Sequence, residues 1–206
     1  MTSDLNTLAE RLFHLLSSKD FLAMKGLANE VPIFMQTYDP KVEDELRRMV
    51  DAITGRLSST GLVVKRLDLF DLVLDELNKD GLLEDLLTGE KDYSKAELLD
   101  TLQNYSDPKT HLIPSLVREI GNDGTQLTLL TGAGRVYPFL RTHTILESLQ
   151  PAMLIHPVVV FFPGEYTQDP GGGSQLRLFG SLPSPRINNP YYRAMNLDHY
   201  RPATPQ

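Results

Sequence analysis

The tightest constraint on the fold is a short apolar run, Pro157-Val158-Val159-Val160-Phe161-Phe162, which leads into Pro163-Gly164-Glu165-Tyr166. A strand with one face in water alternates apolar and polar residues. A strand covered on both faces is apolar at almost every position. Strands of the second kind belong to parallel sheets that carry helices above and below.

The rest of the chain supplies those helices and strands. Residues 31–38 and 62–69 read as two strands. Between them Asp39-Pro40 marks a helix start, with Asp as N-cap and Pro at the first helical position. Glu43, Asp44 and Glu45 follow in the first turns, where carboxylates favour the positive end of the helix dipole. Val42, Leu46, Met49, Ile53 and Leu57 form the expected buried stripe. Strand, helix and strand together predict a βαβ unit, which needs parallel strands and a right-handed crossover.

Leu5, Leu8, Leu12, Leu15 and Leu16 predict a helical N-terminal arm over 1–30. A leucine-rich helical block spans 70–120; it can cover the sheet, or part of it can meet a partner. Further strands are expected at 126–131, 158–162 and 175–179, with a helix over 136–150 and a frayed tail over 196–206. The expected architecture is one α/β domain over 31–195. It has a mostly parallel sheet of about five strands flanked by helices, P-loop-like in layout but without a Walker A loop.

A chain of 206 residues suits one domain, and 41% hydrophobic content suffices for a core. The net charge of −7 disfavours general binding to phosphate backbones, so direct nucleic-acid contact is not expected. There are no cysteines, which excludes disulfides and thiolate chemistry. No basic leader segment opens the chain, and no apolar run approaches a membrane span. The expected location is cytoplasmic, with no membrane association.

Candidate chemistry is sparse. Gly132-Ala133-Gly134 follows a strand and precedes a helix, which invites a phosphate or dinucleotide reading helped by Arg135. The full G-x-G-x-x-G pattern needs glycine where Tyr137 stands, and no G-x-x-x-x-G-K-[ST] loop occurs. A turn that requires positive φ is the alternative. Asp68 and Glu165 end strands and could form a carboxylate pair for hydrolysis. His143 and Glu147 lie four apart on a helix, but the other histidines lack ligand spacing, so no metal site and no cofactor are expected. No G-x-S-x-G elbow is present, so no catalytic residue is assigned. Arg135, Arg141, Arg177 and Arg193 recur beside Tyr137, Phe179, Tyr191 and Tyr192, a composition typical of protein interfaces. The same residues could instead pair internally, or read a nucleic-acid backbone.

The stretch 125–193 resembles the BrxB family, the small B component of the bacteriophage-exclusion (BREX) defence systems. The residues that carry the likeness are Arg135-Val136-Tyr137-Pro138-Phe139-Leu140-Arg141-Thr142-His143, Val159-Val160-Phe161-Phe162-Pro163-Gly164-Glu165-Tyr166, Leu176-Arg177-Leu178-Phe179-Gly180 and Tyr191-Tyr192-Arg193-Ala194. The loop between Tyr166 and Leu176, with its triglycine, is longer than the family pattern, which leaves any role for it open. The resemblance implies a small non-enzymatic adaptor that binds other BREX components. The alkaline-phosphatase-like protein (PglZ) is the first expected partner and the large ATPase (BrxC) the second. The competing expectations are a nucleotide-binding or hydrolytic subunit built on Gly132-Ala133-Gly134, and a DNA-contacting subunit.

Overall fold

The computed structural model describes residues 2–27, 31–121, 124–150, 154–168, 174–180 and 194–201. Its centre is a six-stranded sheet in the order β2-β3-β4-β1-β6, with β5 paired to β4. The strands are β1 (Ile33–Tyr38), β2 (Val64–Asp68), β3 (Leu127–Thr131), β4 (Val158–Gln168), β5 (Ser174–Leu178) and β6 (Met195–Asn196). Among the described residues every pairing is parallel except the antiparallel β4–β5 hairpin. The α/β class and the helix-flanked, mostly parallel sheet are those expected, with one strand more than the sequence suggested.

β4 explains why its sequence is so apolar. It lies between β3 and β1, with Val159 opposite Leu129 on one side and Phe34 on the other. Val158, Val160 and Phe162 pack into one core, Val159 and Phe161 into the second. Each such side chain contributes about 1.5–3 kcal/mol by leaving water.

The layers follow from this division. One is built from α1 (Thr2–Leu16), α2 (Lys19–Leu22) and α3 (Glu43–Ser59), whose Leu12, Leu16, Phe21, Leu46, Val50 and Leu57 are buried. The N-terminal helix is therefore part of a layer against the sheet. The other layer holds α4 (Leu69–Lys79), α5 (Leu82–Gly89), α6 (Lys95–Tyr105), α7 (Ile113–Ile120) and α8 (Thr142–Leu149). Among the described residues no helix is long and apolar enough to cross a membrane.

Three local expectations change. Asp39 caps a short 3-10 turn, Pro40–Val42, and α3 proper starts at Glu43; Val50 takes the stripe position given to Met49, which is only partly buried. The helix expected from 136 begins at Thr142, because Pro138 has no N–H and disfavours α conformation at Tyr137; residues 133–139 are turn instead. The tail does not fray at 196. Leu197 donates its N–H to Met35 O at 2.8 Å, and Tyr200 packs on Phe21 and Phe34 while its hydroxyl donates to Lys25 O. Two buried side chains outweigh the polar composition around them.

β1, α3 and β2 do form a parallel unit, but β3 and β4 lie between the two strands. From β1 the chain crosses in one direction through the α3 layer. From β2 and β3 it returns through the other layer. The point of reversal is where open α/β sheets place ligands, outside the carboxyl ends of the strands.

Candidate functional site

That carboxyl edge is where the sequence-level candidates fall. The β1–α3 connection, Asp39-Pro40-Lys41-Val42, would hold the phosphate loop of a P-loop protein. Here it contains no glycine. Asp39 accepts from Lys41 N at 3.0 Å, and Tyr38 donates its hydroxyl to Glu43. Burial first, then the Glu43 carboxylate beside it, pushes the Tyr38 phenol far above its ordinary range. This phenol–carboxylate pair was not singled out from sequence; Tyr38 and Glu43 meet only because α3 folds back over the end of β1.

At the end of β2, Asp68 is wholly buried and fully engaged. Its carboxylate caps α4 by accepting from Phe70 N at 3.0 Å. It also accepts from Thr131 Oγ1 at 2.8 Å and from Arg135 Nη1 at 2.9 Å. Arg135 reaches Asp71 at 3.3 Å and lies over the Phe70 ring, 4.6 Å from its centre. The glycine turn is shaped around this pair. Gly132 has φ +85, and a Cβ there would stand 2.5 Å from Asp68 Oδ1. The turn closes through Arg135 N and Val136 N, both donating to Gly132 O. The anion that Gly132 and Arg135 meet is thus the protein's own carboxylate, while Gly134 lies against Pro163 and Phe179 instead.

Glu165 is elsewhere. In strand register it lies two strands across from Asp68 and four residues further along, about 10 Å by about 13 Å. The two acids do not form a carboxylate pair. Glu165 instead faces Arg177 across the hairpin, with 3.9 Å between charged atoms, both side chains more than half exposed.

The aromatic candidates do meet. The rings of Tyr137 and Phe179 stand edge to face, 6.0 Å apart, and Arg141 lies 5.8 Å from the Tyr137 ring centre. Phe179 follows β5 with φ +56, its N–H donating to Pro163 O at 2.8 Å, and it remains 39% exposed. Gly134 lies beneath this contact, since a Cβ there would approach Pro163 and Phe179. Of the eight residues expected to touch a partner, Tyr137, Arg141, Phe179 and Arg177 lie on or beside the hairpin edge. Arg135 is turned inward. Tyr191, Tyr192 and Arg193 lie outside the described residues, as does most of the 167–174 loop.

His143 and Glu147 gather no third ligand: among the described residues no group of three or more His, Asp or Glu is placed to hold a metal. Burial pushes the half-buried His143 ring below its ordinary pKa.

Comparison with known proteins decides the family. The family model for BREX protein BrxB matches residues 65–197. The chain belongs to the BrxB family. A BREX protein BrxB from Bacillus cereus (strain H3081.97) is 30% identical over 200 residues, covering 94% of this chain and 97% of that protein. A second, from Escherichia coli O9:H4 (strain HS), is 24% identical over 170 residues, 79% of this chain and 84% of that protein. No solved structure matches the chain significantly. The BrxB match begins in β2 and ends after β6, so it contains the Asp68–Arg135 pair and the Tyr137–Phe179 contact. BrxB proteins are components of BREX systems, whose setting is defence against phages.

Proposed function

We propose that this protein is a non-enzymatic adaptor of a BREX phage-defence complex, working in the cytoplasm by binding another component. One observation carries the reading. The carboxyl edge of the sheet, where an α/β fold would present a phosphate cradle or an acid–base pair, is filled by the internal Asp68–Arg135 pair. What that edge offers to solvent is Tyr137, Arg141 and Phe179. Aromatic residues with a neighbouring arginine are the usual anchors of protein interfaces.

The first partner is the alkaline-phosphatase-like component (PglZ) and the second the large ATPase (BrxC). Co-expression with each component alone tests this. Capture by at least one is expected, weakened about tenfold or more when Tyr137 and Phe179 are both changed to Ala. Failure to co-purify with every component would sink the adaptor reading. Clear thermal stabilisation by ATP or GTP with Mg²⁺ would favour a nucleotide-binding subunit instead.

A further inference from the structure

Helices α5 and α6 have the leucine content of core helices, yet no residue of either is buried. On α5, Leu82, Leu83 and Leu86 lie partly against the core, while Leu87 is 66% exposed. On α6, Leu98 and Leu99 are half-buried and belong to neither core cluster. Tyr93, in the connection, is 40% exposed. Leu83, Leu86 and Leu87, like Leu98, Leu99 and Leu102, recur at three- and four-residue spacing; Leu83, Leu86 and Leu102 rest against the core, while Leu87, Leu98 and Leu99 extend the two stripes beyond it.

The segment is nonetheless held firmly. Ser94 and Glu97 form a reciprocal capping box at the start of α6. Tyr105 Oη, at its end, donates to Asp80 Oδ2 at 2.8 Å, tying α6 back to the end of α4. These contacts fix a platform rather than bury its leucines.

The charge of the chain is concentrated on the same segment. Between Asp80 and Asp107 there are eight acids and two lysines, a net −6 of the −7 carried by all 206 residues. The remainder of the chain is close to neutral. Leucine stripes bordered by carboxylates complement one kind of occupant, a helix whose apolar stripe is flanked by Lys and Arg. The same charge repels nucleic acid and anionic membrane surfaces.

We propose that the α5–α6 face docks a basic amphipathic helix of a partner protein. This deepens the adaptor reading and rests on it for the existence of a partner, but it uses a different surface. α5 starts beyond the far end of α4, about 16 Å along that helix from Asp68. Steering by the carboxylates makes the association fast at low salt and weak at high salt.

Two arms test it, both with the full chain. In the first, each BREX component is co-expressed with wild type, with a Leu87→Ser/Leu99→Ser variant and with a Glu84→Lys/Asp85→Lys/Asp100→Lys variant, each checked for native melting. Loss of capture by about tenfold or more in both variants, with steep salt dependence, is the expected result. Capture that survives both variants but not Tyr137→Ala/Phe179→Ala overturns this proposal and leaves the adaptor reading standing. In the second arm, fluorescence anisotropy follows a labelled helical peptide with a leucine stripe flanked by Lys and Arg, against the same stripe flanked by Glu. Binding of the basic peptide alone, abolished by the charge-reversed variant, supports the proposal even if no component co-purifies. Equal binding of both peptides, or of neither, overturns it. So does a wild-type dimer in sedimentation that Leu87→Ser/Leu99→Ser dissolves, which would make a second copy the occupant.

Discussion

Replacing Asp68 should cost more stability than any exposed acid, and the structure says how much. Asp68→Ala removes the α4 cap, worth about 1 kcal/mol. It also strips Arg135 of its buried partner. Breaking such a pair costs about 3–5 kcal/mol. Arg135 keeps Asp71 and the Phe70 ring and is partly exposed, so the low end applies. The sum is about 4 kcal/mol. Asp68→Asn retains the acceptor for Phe70 N–H but loses the charge and the acceptor for Thr131 Oγ1, which should cost about half as much.

The steric claim gives a sharper test. Gly132→Ala meets two penalties: φ +85, about 1–2 kcal/mol for a residue with a Cβ, and collision with Asp68 Oδ1 at 2.5 Å. In an Asp68→Ala background the collision vanishes and only the backbone penalty remains. Urea unfolding of the four proteins in this cycle, with m unchanged, should therefore show a coupling of about 2 kcal/mol. Additive effects, or an Asp68→Ala cost below about 1 kcal/mol, would refute the view that the glycine turn is built around this carboxylate.

Gly164→Ala would place a Cβ 2.1 Å from Arg177 O at φ +146, so the β4–β5 hairpin should open at a cost of about 2–3 kcal/mol, read as lost amide protection there. Leu197→Ala should cost about 2–5 kcal/mol in urea unfolding; a loss below about 1 would mean the tail does not dock as described. Burial pushes Glu76 up, but hydrogen bonds from Lys79 and Ser115 more than offset this and hold it below its ordinary range. Its stabilisation should be complete above the unfolded value of about 4.3 and disappear as pH falls through the lowered folded value, a slope that Glu76→Gln should flatten. His143 is lowered by burial, so the fold favours the neutral ring. Stability should decline as pH falls from about 6.5 through the folded value, and His143→Gln should remove that decline.

The strands were legible where burial dictates composition. The unbroken run at 158–162 named a central strand before any neighbour was known, and Asp39-Pro40 marked the start of the turn into α3. What escaped depends on distant partners. Asp68 looked like a free acid because Arg135 lies 67 positions later and meets it only once β2 and β3 pair. Gly132 was legible as a turn glycine of positive φ, but its need for space was not: that is set by Asp68, not by its neighbours. β6 is two residues long and is a strand only because β1 offers it an open edge. Among the contact candidates, sequence composition put Arg135 and Arg141 in one class. The fold separates them, one turned to two carboxylates and the other left on the surface beside Tyr137.

The edge is closed by β4 itself. In a doubly wound sheet the crevice opens because connections diverge from neighbouring strand ends. β4 does not turn away at the end of its parallel pairing. It runs on from Pro163 to Gln168 and pairs with β5, so Pro163 and Phe179 stand against Gly134, with Glu43 close by. The space above the glycine turn is occupied by the base of this hairpin, where Phe179 faces Tyr137. Asp68 and Arg135 then lock the β2 and β3 ends together beneath it. A rim fixed at three strand ends loses little conformational freedom on binding, which is what aromatic anchors need to convert buried area into affinity. On the adaptor reading proposed above, the contacts that fill this sheet edge are the same ones that would hold its aromatic residues ready for a protein partner.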